Sequence, residues 1–171
     1  ALDTVIVRWA QDNWKQQSDG SYNSDYELYA KAFSISNNQI TQEGNKFEAP
    51  GATTTSEDSW ISSDTPELLL YQSDIYSGSG STTTISAYLY DDASKTFSAT
   101  YAPSNAGANL KTAPLNDGTI AFLYSDPATK HLILDVNGNK AQITDSLSQN
   151  RSGETQAPGQ YQIYALPALD T

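Results

Sequence analysis

The chain has 171 residues, with 20 acidic and 9 basic side chains, one histidine and no cysteine. That length suits one domain with a real core, and the formal charge of −11 argues against nucleic acid or an anionic membrane surface as partner, since both call for basic patches. The lack of cysteine excludes disulfides, thiolate metal sites and cysteine nucleophiles, and no apolar run approaches the roughly 18 residues of a membrane helix.

From the N-terminus, period-two alternation predicts a strand at Val5–Trp9 and a second at Tyr26–Ile35, followed by a more polar third at Gln39–Glu48. A linking strand is expected near Ser59–Ser62, then strands at Leu68–Tyr71, Thr84–Tyr90 and Thr96–Tyr101. The same series recurs as a link near Leu110–Ala113, then Ile120–Tyr124, His131–Val136 and Lys140–Asp145, with a last strand at Tyr161–Leu166. Asp19-Gly20, Gly78-Ser79-Gly80, Asp117-Gly118 and Asn137-Gly138 supply the positive φ that tight hairpins need. No stretch shows a clean 3.6-residue period, so essentially no helix is expected.

The strands repeat. An apolar strand ending in an aromatic, then one or two polar residues and an Asp, occurs at Val5–Asp12, Leu68–Asp74 and Ile120–Asp126. The expectation is an all-β domain of three imperfect modules, about 1–50, 51–103 and 104–146, with a closing strand segment at 147–171. Four-stranded antiparallel modules of this size point to propeller-like blades. A β-trefoil and a β-sandwich are the alternatives. Three blades leave open edges, so a homo-oligomer, most simply a two-fold dimer, is expected.

Thr119–Tyr124 followed by the hairpin Lys130–Ile143 resembles a blade of the fungal fucose-binding lectin propellers. Ile85–Asp92 is laid out similarly. The resemblance implies blade architecture in a sugar-binding family. That family's sugar-binding Arg on the hairpin strand reads Ile133 here, and its Glu after the turn reads Thr144 or Asp145. Its site therefore does not carry over residue by residue.

Polarity rests on 21 Ser, 17 Thr and 11 Tyr, with charged residues at 17%, below the usual ~25%. Such hydroxyl-rich, lysine-poor β sequences are expected outside the cytoplasm, secreted or on a cell surface, and the start at Ala1-Leu2-Asp3-Thr4 without Met suits a processed chain or a cloned domain. The tetrapeptide Ala-Leu-Asp-Thr recurs at 168–171.

Candidate chemistry is sparse. His131 lacks a partner at triad spacing, and no nucleophile elbow is present. The 14 Asp and 6 Glu offer many carboxylate pairs but single out none for glycoside hydrolysis. Asp135-Val136-Asn137-Gly138-Asn139 opens like a calcium loop, but Lys140 stands where that loop needs Gly. No cofactor is implied; the acidic loops leave room for a structural Ca²⁺. The longest variable loop, Gln11–Asp25, carries Trp14, Asp12, Asn13 and Tyr22, and Trp60 precedes the second module. A ring beside amides and carboxylates is what a neutral sugar requires. These five residues are the expected ligand site of a non-enzymatic carbohydrate-binding module. A structural or adhesive domain that binds protein and an acidic glycoside hydrolase are the alternatives.

Overall fold

The computed structural model describes residues 3–16, 18–20, 22–50, 56–77, 80–104, 106, 109–144 and 147–166. Among these the fold is all-β, without helix. Strands β1 (Asp3–Gln16), β2 (Tyr22–Ser36) and β3 (Gln39–Glu48) form a three-stranded sheet. Strands β4 (Ser56–Ile61), β5 (Leu68–Ser77), β6 (Gly80–Asp91) and β7 (Thr96–Thr100) form a four-stranded sheet. A second four-stranded sheet comprises β8 (Lys111–Pro114), β9 (Ile120–Ser125), β10 (Leu132–Val136) and β11 (Asn139–Gln142). The short pair β12 (Ser148–Gln149) and β13 (Thr155–Gln156) follows. All these pairings are antiparallel, and each joins strands consecutive in sequence.

The chain divides into two compact units. Unit 1 comprises Ala1–Ile61 and Pro66–Thr100; unit 2 comprises Ser62–Thr65 and Tyr101–Thr171. In unit 1 the first two sheets pack through Leu28, Ala49 and Tyr71, with Phe47, Trp60 and Tyr88 against them. Ring pairs extend this seam: Phe47 lies 4.8 Å from Tyr88 and 5.4 Å from Phe97, and Phe97 lies 5.0 Å from Tyr90. These separations suit tilted aromatic packing. Unit 2 is centred on β9, where every residue from Ile120 to Tyr124 is buried. Simple alternation therefore fails there, because a strand covered on both faces reads as a continuous apolar run.

Turn chemistry matches the hairpins. Asn137 and Gly138 both have positive φ, 51° and 85°, as a type I′ turn demands. Asn37 and Asn38, at 49° and 62°, make the same turn between β2 and β3 without a glycine. Gly44 is more constrained. It sits at φ 61° where the β2–β3 register shifts, and a Cβ there would stand 2.0 Å from the Lys95 carbonyl oxygen. Gly44→Ala is expected to lower stability by about 1–3 kcal/mol through strain and displacement of backbone. A reduced urea midpoint at unchanged slope would check this.

Three expectations change. Gln11–Asp25 is not a loop, since β1 and β2 stay paired from Asp3↔Ile35 to Gln16↔Tyr22. The connection left between the expected strands Leu68–Tyr71 and Thr84–Tyr90 is likewise mostly hairpin, with β5 and β6 paired out to Ser77↔Gly80. The final strand at Tyr161–Leu166 makes no ladder: residues 157–166 belong to no strand.

Candidate functional site

The ribbon formed by β1 and β2 carries four of the five expected site residues. Asp12 pairs with Tyr26, Asn13 with Asp25, Trp14 with Ser24, and Tyr22 with Gln16. Since β3 pairs only with Tyr29–Ser36, the ribbon runs about seven residues past the sheet, roughly 20 Å at strand rise. The side chains at 12–15 and 22–26 lie outside the described residues. The second oxygen-rich loop proposed for calcium, Asp19–Asp25, falls largely in the same stretch.

Trp60 is engaged in packing. Its indole N–H donates to the Trp9 carbonyl at 3.0 Å. Its ring meets Tyr71 edge-on at 6.1 Å, and the Arg8 guanidinium lies 5.7 Å from its centroid. Arg8 also donates to the Ile61 carbonyl at 2.7 Å, and burial lowers its pKa. Trp9 in turn packs 5.5 Å from Tyr29. Trp60 therefore sits in the seam between the two sheets of unit 1, half-buried, and its polar atom is already used.

The Asp135 carboxylate, fully buried, accepts from the Tyr101 hydroxyl at 2.9 Å, the Tyr124 hydroxyl at 3.2 Å and the Gly138 N–H at 2.9 Å. Lys140 Nζ lies 3.8 Å away. These partners occupy the Asp135 oxygens that the calcium reading of Asp135–Asn139 would have used first, and Asn137-Gly138 forms a hairpin turn. His131 has its Nδ1 2.9 Å from the Thr144 carbonyl, a local tie between β10 and the chain after β11. The turn aspartates are held in their ionised form. Asp91 lies below its ordinary value through the Ser94 hydroxyl and the Ala93 N–H, Asp117 through the Thr119 N–H, and Asp126 through the Thr129 N–H. Among the described residues no cluster of three or more His, Asp or Glu could hold a metal.

Unit 2 contains a cavity of about 430 Å³, within the range of small-ligand sites. Edge strand β8 forms one wall with Lys111–Pro114, residues 162–165 form another, and Asp64 lies at its margin. A second hollow of about 970 Å³ adjoins it along Gln156–Gln162 and shares Lys111 and Gln162. The Thr112 hydroxyl is committed to Ser63 and Thr65, each at 3.1 Å, and so fixes the 62–65 segment against β8. Asp64, Lys111, Gln162 and Tyr164 add one carboxylate, one ammonium, one amide and one ring 76% exposed, the Tyr164 hydroxyl donating to Gln162 Oε1. Tyr161 anchors the wall by donating to the Asn109 carbonyl, and burial raises its pKa.

Sequence reasoning missed this cavity because its polar groups come from segments 47 or more residues apart, each ordinary by itself. No protein-family model matches the chain, nor does any curated protein or solved structure.

Proposed function

We propose that the protein is a non-enzymatic carbohydrate-binding module, secreted or on a cell surface, built from propeller-like blades. The observation that carries this reading is the unit 2 cavity. An exposed phenol ring can stack on the C–H face of a pyranose, which is polarised positive against the ring's negative face. Gln162, Asp64 and Lys111 can donate to and accept from its hydroxyls. The volume of about 430 Å³ suits one or two sugar rings. Support for blades comes from the meander order of the sheets, β4 to β7 and β8 to β11, in which each strand neighbours the next. A sandwich usually needs Greek-key connections between sheets. A hydrolase is less well supported. It requires a carboxylic acid held protonated by a raised pKa, and the turn aspartates shift the other way.

A glycan array tests the reading. Binding of at least one neutral glycan is expected, and Tyr164→Ala should weaken it at least tenfold with the melting temperature retained, because that ring is mostly exposed. Trp14→Ala, tested in parallel, asks whether the β1–β2 ribbon contributes a second subsite. An array without hits, or full binding by Tyr164→Ala, would remove the cavity as the site.

A further inference from the structure

The two hollows of unit 2 differ in charge. The smaller, between β8 and residues 162–165, carries both Asp64 and Lys111. The larger carries Lys111 and no carboxylate; its polar lining is that ammonium with Asn109, Gln156, Gln160, Tyr161 and Gln162. The chain has 20 acidic and 9 basic residues, so most of its surface repels anions. A hollow whose lining holds one positive charge and no negative one departs from that background.

The ammonium is also unengaged. The other lysines with described side chains each reach an acceptor, as Lys46 does Glu48 and Lys95 does Asp92. Half-buried Lys111 reaches none among the described residues. It has given up part of its hydration without gaining a partner, a cost that a bound anion offsets. The amides suit the same ligand. Gln162 Oε1 already accepts from the Tyr164 hydroxyl, which leaves the Gln162 amide nitrogen to donate. Sulfate and phosphate esters are typically held by guanidinium forks or helix N-termini, and the lining has neither. One ammonium, a point charge, matches one carboxylate.

We infer that the preferred glycan of unit 2 is acidic. A neutral ring stacks on Tyr164 in the smaller cavity, and a uronic acid linked to it lies in the larger hollow with its carboxylate on Lys111. Lys111 and Gln162 line both hollows, so adjoining rings of one ligand share these two side chains. The inference rests on the carbohydrate reading of the cavity and adds to it the charge of the ligand.

The test is an array of uronic-acid oligosaccharides in several linkages, each printed beside its carboxyl-reduced form, with sulfated and wholly neutral glycans alongside. The tightest binder should carry a uronic acid and lose about fivefold in affinity on carboxyl reduction, as a partly exposed ion pair allows. That gap should narrow as salt rises from about 50 to about 500 mM, because the pair is screened. Lys111→Gln should bring the acidic-to-reduced affinity ratio close to one, and Lys111→Arg should keep it. Thermal melting checks that both variants fold, and the wild-type comparison needs no variant. Binding of neutral glycans with no preference for the uronate would overturn the inference and leave the carbohydrate reading standing. A preference for sulfated glycans, or a ratio unchanged in Lys111→Gln, would also overturn it. No binding of any glycan would remove the carbohydrate reading and this inference with it.

Discussion

Asp135→Ala is expected to destabilise the protein by about 3–5 kcal/mol, the cost typical of removing one member of a buried charged network. The loss would leave the Tyr101 and Tyr124 hydroxyls and the Gly138 N–H facing a cavity instead of an acceptor. Asp135→Asn keeps the volume and one acceptor oxygen and should recover part of the deficit. Urea titration near neutral pH measures both. The same network sets an alkaline limit. Burial first, then Asp135, pushes the phenols of Tyr101 and Tyr124 up to about 12 from 10.0. A folded value above the unfolded one means that the native state holds these protons more tightly. Their stabilisation is therefore complete below pH 10 and lost as the pH rises from 10 towards 12. An alkaline series of urea titrations should show that decline, and it should be shallower in Asp135→Ala. A wild type with level stability across that window would contradict the assignment.

Trp60→Ala should lower the stability of unit 1 by about 3 kcal/mol, towards the lower end for core aromatics because the ring is only half-buried. It removes the edge-on contact to Tyr71, the cation–π contact of Arg8 and a hydrogen bond to the Trp9 carbonyl. Trp60→Phe preserves the ring contacts and gives up the hydrogen bond, so about 1 kcal/mol is expected. Glycan binding by the folded Trp60→Phe protein should be unaffected. If Trp60→Ala instead abolished binding at full thermal stability, the indole would be a ligand contact and its packing role would be wrong.

Most of the strands were legible because apolar alternation and Asn-Gly or Asp-Gly turns are local signals. The turn between the strands at Tyr26–Ile35 and Gln39–Glu48 was expected from their bounds alone, since Asn37-Asn38 reaches positive φ without a glycine to mark it. The ribbon beyond the first sheet was read as a loop because Asp12, Asn13 and Lys15 are poor strand formers. Pairing with β2 outweighs that propensity. Tyr161–Leu166 erred the other way: its alternation is real, with Tyr161 and Ile163 less exposed than Tyr164 and Leu166, but a ladder also needs a partner edge. The cavity was illegible for a different reason. Asp64, Lys111 and Gln162 acquire a shared meaning only once β8 and the C-terminal segment face each other across it.

The neighbour-to-neighbour order of the strands has a kinetic consequence. Every ladder among the described residues closes a loop between consecutive strands, so little chain entropy is lost before the first pairing energy is gained. Each sheet can zip from its own hairpin turns as the chain emerges during synthesis, without waiting for distant sequence. A single concentration-independent refolding phase per unit is the natural outcome.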